Sequence, residues 1–258
     1  MAMAHTDRKP RISWVVVLGA GLAVASALVL IAAPVGYRLG IVPLRVALLT
    51  LLKWGVYGGI AAAVVSLIGL VMTLVRPREV RRGTVLAAVS LLVGLGLVGA
   101  LARFRMNPPP PPIHDITTDT DRPPQFVSVV PLRAAAPNRV EYGGPEVAAQ
   151  QRQGYPDVQP LTLPLPPNQA FDRAFATARR LGWEIVASDP PSGRIEATDT
   201  TFWFGFKDDV VIRVTAAPNG SRVDVRSLSR VGLSDVGTNA ARIRKYLAAL
   251  RDASSQRS

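Results

Sequence analysis

Long apolar runs near the start of the chain predict helices that can cross a membrane. A helix needs about 20 mainly apolar residues to span a hydrocarbon core of ~30 Å. The tract from residue 43 to 75 is interrupted by Arg45 and Lys53, so we divide it into an interfacial amphipathic piece and a span. The three spans are predicted at about residues 13–33, 54–75 and 83–102. Together they form a predicted membrane anchor over residues 1–106.

The first of these runs has a second interpretation as a cleaved signal peptide, because Ala32 and Ala33 are small. Its apolar core is longer than the roughly 7 to 15 residues that are usual in a signal peptide. We therefore favour an anchor that is retained.

The basic residues that flank the runs predict the orientation of the chain. With a cytoplasmic N-terminus, seven Lys and Arg residues lie in the inside flanks and five in the outside flanks, as the positive-inside rule requires. Three spans then place every residue after Arg105 outside the cytoplasm. We expect a multi-pass protein of the bacterial inner (cytoplasmic) membrane with an extracytoplasmic C-terminal domain.

A proline-rich segment follows the third run. Residues 108–112 are five consecutive prolines, and such a run adopts the stiff, extended polyproline II conformation. We assign residues 107–125 to a stalk that holds a domain off the membrane, and we interpret His114 as a solvated residue of this stalk.

The remaining chain alternates between helical and strand-like patterns. Apolar residues recur with helical spacing after Asn168 and again before the C-terminus. Between these stretches, two hairpins are predicted, the second turning at Asn219–Gly220. This order predicts an α+β domain over residues 126–252, with a four-stranded antiparallel sheet flanked on one face by two helices. Residues 253–258 are predicted to be a disordered tail.

The Asn219–Gly220 turn also sets a register for the second hairpin. It places Asp209 opposite Arg230, which predicts a cross-strand ion pair. It places Arg213 opposite Arg226, a like-charge pair that costs stability unless an acid lies between them, for which Glu196 on the adjoining hairpin is the candidate. The outer face of this hairpin is therefore either a salt-bridge lattice or a site for an anion.

Polar side chains are concentrated between the fourth predicted strand and the last helix. The register directs Ser227 and Ser229 to the core side, where Asn239 and Arg242 are their expected partners. Ser234 or Asp235 is expected to cap the helix.

A larger polar patch is predicted around this network, joining the strand to the helix and extending over the outer face. Its candidate members are Arg213, Arg226, Arg230, Asp235, Asn239 and Arg242. Two interpretations remain open, a buried network that holds strand and helix together or a site for an anion or a partner.

Adjacent aspartates and an aromatic-rich run complete the candidates for chemistry. Asp208 and Asp209 invite an acid–base interpretation, but neighbours on a strand point to opposite faces and cannot form a facing pair. Trp203 and Phe206 either stack on a ligand or pack in the core around a bulge.

Charge and composition exclude several classes of function. The net charge is +12, and residues 1–106 supply +10 of it through 12 basic and 2 acidic side chains. Basic residues at the ends of apolar runs are typical of membrane topology, so we expect no nucleic-acid partner. The chain has no Cys, which excludes disulfides and thiol catalysis. We predict no cofactor and no metal site.

Five motifs, in order along residues 113 to about 250, carry a resemblance to a known family. They are "IHDITTD", "PPQFV", "YPDVQPL", "GWEIVASDPPSGRIEATDTTFWFGFKDDVVIRV" and "SRVDVRSLSRVGLSDVGTNAARIR". The chain resembles the bacterial membrane-anchored members of the domain of unknown function 1499 family. The resemblance implies the fold, the domain boundaries and the anchoring, but no activity. Another branch of the family has a Cys near "PPQFV", where this chain has Phe126, so a thiol-based role is not implied here.

Three functional hypotheses follow. The first is a membrane-anchored binding or scaffolding module of the cell envelope, whose partners are the lipid bilayer and an envelope protein. The second is an envelope enzyme that uses Asp208, Asp209 or Asp235. The third is an accessory subunit of a membrane complex. We favour the first because the sequence contains no recognisable catalytic motif.

Overall fold

The computed structural model describes residues 12–75, 83–105 and 110–255 of the 258-residue chain. The chain divides into two compact units, Met1–Pro108 and Pro109–Ser258. Each unit is described separately.

The first unit consists of apolar helices. They are α1 (Trp14–Arg38), α2 (Leu44–Val46), a π-helical turn (Ala47–Leu51), α3 (Leu52–Val75) and α4 (Thr84–Arg105). Two helical runs, Trp14–Arg38 and Leu44–Val75, are long and apolar enough to cross a membrane. The second run includes the tract that we divided at Lys53, so the expected interfacial piece and span form one continuous helix. In α4 the apolar stretch Thr84–Gly99 is shorter. The described residues therefore support two candidate spans, whereas we expected three.

Glycine permits two of these helices to pack closely. A side chain at Gly94 of α4 would meet the amide nitrogen of Ala63 at 2.8 Å and the carbonyl oxygen of Gly59 at 2.9 Å, both in α3. Such short contacts leave room only for glycine, as is common where apolar helices associate.

The second unit is an α+β domain built on one antiparallel sheet. Its elements in chain order are β1 (Asp115–Thr117), a 3₁₀ turn (Pro131–Arg133), α5 (Gly144–Gly154), β2 (Leu161–Leu163), α6 (Pro167–Arg180), β3 (Glu184–Asp189), β4 (Arg194–Thr200), β5 (Lys207–Ala217), β6 (Gly220–Ser229) and α7 (Thr238–Ser255). The strand order is β1-β6-β5-β4-β3, and β2 pairs with β6 beside β1. The α+β class is confirmed.

The sheet has six strands rather than the four that we predicted. The predicted hairpins are β3–β4 and β5–β6, and the additional strands are β1 and β2. Each of these is three residues long and pairs with one end of β6. A strand of this length has too few alternating positions to produce a recognisable period-two pattern.

The register of the β5–β6 hairpin differs from the prediction by two residues. Ala217 pairs with Gly220, so Pro218 and Asn219 occupy the turn. Because side chains alternate with a period of two, this shift leaves every residue on its predicted face but changes its partner.

The new register removes the expected like-charge pair. Arg213 faces Asp224 rather than Arg226, and its guanidinium group lies 2.9 Å from the Asp224 carboxylate. Opposite charges across a strand pair stabilise the sheet.

Two helices, α6 and α7, cover one face of the sheet, as predicted. The amphipathic spacing of α6 buries Phe171 and Ala174, and α7 buries Ile243 and Leu250. The ring of Tyr246 stacks on Trp183 at 5.0 Å between centroids, and its hydroxyl donates a hydrogen bond of 3.0 Å to the Ala174 carbonyl. The main apolar core of the domain lies on this face.

An irregular segment, residues 119–142, covers the opposite face. We call it the covering segment. Its Phe126 and Val129 pack on Val211 and Leu228 in a small second core. The buried carboxylate of Glu196 accepts hydrogen bonds from three consecutive backbone amides of the segment, at residues 127–129, over distances of 2.9 to 3.1 Å. A buried carboxylate is thus satisfied by backbone donors that would otherwise lack partners.

The domain boundaries differ from those we predicted. Residues 115–117 form β1 within the sheet, and the covering segment is part of the same unit, so the predicted stalk at residues 107–125 cannot extend beyond about residue 112. At the other end, α7 continues to Ser255. Residues 253–255 are therefore helical rather than part of a disordered tail, and residues 256–258 lie outside the described part of the chain.

Candidate functional site

A cluster of charged side chains lies between the sheet and the start of α7. Asp199 of β4 and Asp208 of β5 are directly opposed in the strand ladder. Arg242 of α7 bridges them, with Nε 2.7 Å from Asp199 Oδ2 and Nη2 2.6 Å from Asp208 Oδ2. One cation therefore serves two carboxylates that would otherwise repel each other.

The same arginine belongs to a neutral hydrogen-bond network. Its Nη1 donates to Asn239 Oδ1 at 2.5 Å and to Ser227 Oγ at 3.1 Å. The Asn239 amide donates to Ser229 Oγ and to the His114 carbonyl, both at 2.9 Å. The expected partnership of the two serines with Asn239 and Arg242 is present, and it connects β6 and α7 with His114, the residue before β1.

Asp235 caps the start of α7. Its carboxylate accepts hydrogen bonds from the backbone amides of Gly237 at 2.9 Å and Asn239 at 2.6 Å, as expected of a carboxylate at a helix N-terminus. Burial raises the pKa of Asp235 above its usual value, and the nearby charge of Asp208 acts in the same direction. The capping hydrogen bonds only partly oppose this effect.

A cavity of about 270 Å³ opens beside the cluster. Its wall includes Trp183 and the three charged residues Asp199, Arg242 and Lys245. The Asp199 side chain is 31% exposed, whereas that of Asp208 is 4% exposed. Asp199 is thus the carboxylate of this pair that solvent reaches, and our sequence analysis did not single it out.

Arg226 lies on the opposite face of the sheet and is fully buried. Its Nε and Nη2 form a paired contact with the Asp115 carboxylate at 2.9 and 2.7 Å. The rings of Phe126 and Tyr142 lie 5.0 and 5.5 Å from the guanidinium carbon, within the range of cation–π attraction. The charge is therefore compensated by an acid and by aromatic faces.

Asp209 forms the centre of a second buried group on this face. Its carboxylate receives hydrogen bonds from Arg133 at 2.5 Å, Arg230 at 2.8 and 2.9 Å and Thr198 at 2.7 Å. Burial by itself raises the pKa of Asp209, but the hydrogen bonds from Arg230, Thr198 and Arg133 outweigh burial and hold it below its usual value. This carboxylate therefore stays ionised at neutral pH.

A third ionic group joins the covering segment to the β5–β6 hairpin. Asp119 and Asp224 share the guanidinium groups of Arg213 and Arg222 at 2.9 to 3.1 Å. Burial raises the pKa of Asp119, but the amide of Arg122 and the two arginines lower it further, so its net position is below the usual value. The carboxylate of Asp119 is thus held as an anion.

These charged groups lie within the part of the chain that a family profile recognises. The profile described as "Protein of unknown function (DUF1499)" matches residues 115–250, which is more than half of the chain. The chain belongs to the DUF1499 family. The match begins at Asp115, the partner of Arg226, and therefore includes β1, which we had assigned to the stalk. No curated protein matches the chain.

In this DUF1499 domain the sheet divides the predicted polar patch. Arg242, Asn239 and Asp235 lie on the face that α7 covers, whereas Arg226 and Arg230 contact residues of the covering segment. The single connected patch that we expected is therefore wrong. The physical reason is the alternation of side chains along β6, which directs Arg226 and Ser227 to opposite faces.

Arg213 also has a different environment from the one we expected. It contacts Asp119 and Asp224 instead of facing Arg226. The ion pair of Asp209 with Arg230 is present, but as a diagonal contact, because Asp209 is directly opposite Leu228.

The aromatic candidates of the DUF1499 domain lie on the loop between β4 and β5. Trp203 is 65% exposed and its ring meets that of Phe202 edge to face at 5.3 Å. Phe206 stacks on Phe204 at 5.1 Å. Trp203 is therefore largely exposed and does not pack in the core.

Several residues of these groups escaped the sequence analysis. The arginine partners Asp115, Asp119 and Asp199, and likewise Arg133, come from parts of the chain that are distant in sequence. Three of them lie inside motifs quoted for the family resemblance, "IHDITTD" and the long "GWEIV" segment. The available signal was the presence of acidic residues within motifs that otherwise have the composition of a strand. Among the described residues, no group of three or more His, Cys, Asp or Glu side chains is placed to hold a metal ion.

Proposed function

We propose that this DUF1499 protein is a multi-pass protein of the bacterial inner (cytoplasmic) membrane, with spans at about residues 13–33, 54–75 and 83–102. Its C-terminal domain lies outside the cytoplasm in this proposal. There it acts as a binding or scaffolding module of the cell envelope and contacts an envelope protein.

The anchor part of the proposal is supported by helix length and by charge. The helix α4 has 22 residues, which at 1.5 Å per residue gives about 33 Å, enough to cross a hydrocarbon core. With α4 as a third span, the excess of basic residues falls on the cytoplasmic side.

The binding role is supported chiefly by the state of the aspartates. Asp208, Asp209 and Asp235 are buried, and arginine or backbone donors occupy their oxygen atoms. A general acid or base must reach its substrate at hydrogen-bonding distance. These three carboxylates instead support the domain, which favours a surface that binds over a site that catalyses.

Exposed apolar side chains on the covering segment offer such a surface. Val127, Val130 and Leu132 are each between 40% and 55% exposed. Their backbone is fixed by Glu196 and by the 3₁₀ turn. A rigid backbone that presents apolar side chains is typical of protein–protein contact sites.

Site-specific photo-crosslinking in living cells tests the proposal. A photoreactive amino acid at Val127 or Leu132 is expected to yield a discrete product with another envelope protein. The matched control is Gln153, an exposed polar position on α5, where we expect no discrete product. Identical patterns at all three positions, or no product at any, would contradict the binding role.

A further inference from the structure

Two loops leave the same end of the sheet. The β4–β5 loop covers residues 201–206, and the β6–α7 loop covers residues 230–237. Thr200 pairs with Lys207, and Asp208 pairs with Ser229, so both loops start where these ladders end. They are therefore neighbours at one end of the domain.

Large apolar side chains project from both loops. Leu233 is 85% exposed, Phe202 80%, Trp203 65% and Val236 61%. Single exposed apolar residues are normal on protein surfaces, but a group of this size marks a site of interaction. We call these four residues the apolar rim.

The backbone at Val236, a residue of the apolar rim, is strained. Val236 has φ of 53°, and it is the one non-glycine residue with positive φ in the described part of the chain. For a β-branched residue this conformation is a true outlier, and glycine or asparagine would adopt it at lower cost. Strain at an exposed apolar residue indicates selection for something other than stability.

The chain connects this end of the domain to the apolar helices. Asp115 of β1 pairs with Leu228 near the end of β6, so the chain enters the sheet at the end that carries the rim. Nine residues separate Arg105, the last residue of α4, from Asp115. Even fully extended, a chain of this length reaches at most about 35 Å. The rim therefore lies at the tethered end of the domain.

The chemistry of the rim suits the interface of a lipid bilayer. Tryptophan is enriched at the headgroup level of membranes, where an apolar ring with one polar group is favoured. The exposed Lys207 begins β5 directly after the aromatic loop, and a lysine at this position is attracted to anionic headgroups. Apolar side chains with a neighbouring cation are typical of surfaces that bind membranes at their interface.

We propose that the apolar rim inserts into the headgroup region of the bilayer that holds the chain's own apolar helices. The inference rests on the membrane anchoring proposed above and adds a second, peripheral contact. The domain is then held with one end of its sheet against the lipid, and the far end, with the Pro218–Asn219 turn, points away from it.

Depth-dependent quenching of single labels on the full chain tests this inference. Because the protein has no Cys, Leu233→Cys and Trp203→Cys each introduce one site for an environment-sensitive fluorophore. The full chain is placed in nanodiscs of phosphatidylcholine and phosphatidylglycerol, with or without lipids that carry a nitroxide near the headgroup. Asn219→Cys is the control on the same β5–β6 hairpin, on the order of 30 Å away at its other end. Leu67→Cys, exposed on α3, reports on the anchor and is measured with lipids that carry the nitroxide in the acyl chain.

Nitroxide lipid is expected to reduce the fluorescence at positions 203 and 233 about twofold or more, since interfacial side chains sit roughly 5 to 10 Å deep. The label at 219 is expected to show no change. Quenching at position 67 without quenching at 203 and 233 would overturn the docking and leave the anchoring intact. Absence of quenching at position 67 as well would overturn both. If the labels at 203 and 233 are unquenched in nanodiscs but shielded from aqueous iodide in native membranes, the occupant is a protein and the lipid proposal is wrong.

Discussion

Asp199 and Asp208 face each other across β4 and β5 on the side of the sheet that α7 covers. Two carboxylates in this position repel each other, and the cost rises as water is excluded. Arg242 enters from α7 and binds both of them. The last helix is thus held to the sheet by one guanidinium group as well as by its apolar stripe.

Replacing Arg242 by alanine is therefore expected to destabilise the domain strongly. Removal of one partner from a buried ion pair leaves an uncompensated charge and costs about 3 to 5 kcal/mol. Here Asp208 remains buried and Asn239 loses a donor. Urea unfolding of residues 110–255, followed by the fluorescence of buried Trp183, measures the change.

Arg244 provides a matched control on the same helix. It forms a paired contact with Asp157 at 2.5 and 2.6 Å, but the two side chains are 42% and 57% exposed. Exposed ion pairs contribute roughly 0 to 1 kcal/mol, so Arg244→Ala is expected to have little effect. Equal losses for the two variants would mean that burial does not set the contribution of Arg242.

The face of each side chain was predictable from the sequence, whereas many partners were not. Alternation along β6 correctly assigned Ser227 and Ser229 to the side of α7, although the predicted register was shifted by two residues. The shift arose at the turn, where Pro218 and Asn219 are the central residues rather than Asn219 and Gly220. A shift by an even number keeps the faces, because the pattern has a period of two.

The second face of the sheet was not predictable from local patterns. Asp115 and Arg226 are 111 residues apart in sequence, and Arg133 and Asp209 are 76 apart. The covering segment has no regular alternation, since it is irregular backbone held by side chains such as Glu196. Local periodicity encodes an element's own faces, but it carries no information on which distant acid will neutralise a buried arginine.

We expect residues 110–255 to fold alone and residues 126–255 to fail. The shorter fragment lacks β1 and Asp115, so the buried guanidinium of Arg226 has no acid partner, at a cost of about 3 to 5 kcal/mol. This is a large part of the usual stability of about 5 to 15 kcal/mol. Thermal unfolding by circular dichroism separates the two fragments.

Asp115→Asn in the longer fragment separates the effect of losing the Asp115 charge from the effect of losing strand β1. It is expected to lower the melting temperature while the cooperative transition is retained, since the β1 ladder remains. A cooperative transition of the 126–255 fragment at the temperature of the longer one would show that β1 is dispensable.

Reporter fusions are expected to place the C-terminus outside the cytoplasm. Alkaline phosphatase fused after Ser258 should be active, because the three spans that we propose would carry the C-terminal domain across the membrane. The control is a fusion after Arg78, between the second and third predicted spans, where alkaline phosphatase should be inactive and a cytoplasmic fluorescent reporter should work. If α4 does not span, the fusion after Ser258 will instead lack phosphatase activity.

The pH dependence of stability is expected to have opposite signs at Asp209 and Asp235. The pKa of Asp209 is lowered from 3.8 in the folded state, so its ionised form contributes stability above about pH 4 that is lost as the pH falls through the folded pKa. Asparagine at this position removes that contribution at every pH. The difference in free energy of unfolding between the wild type and Asp209→Asn should therefore be largest at neutral pH and should narrow below about pH 4.

Asp235 behaves in the reverse way because burial raises its pKa above 3.8 in the folded state. Its charge opposes folding at neutral pH, and protonation relieves that cost as the pH falls through the folded pKa. The free energy of unfolding of the wild type minus that of Asp235→Asn should therefore increase as the pH falls. Urea unfolding of the 110–255 fragment and both variants is measured from about pH 7 to pH 3. For each variant it gives the slope, against pH, of the difference in free energy of unfolding from the wild type. Slopes of the same sign would show that the three donors of Asp209, or the burial of Asp235, do not control these carboxylates.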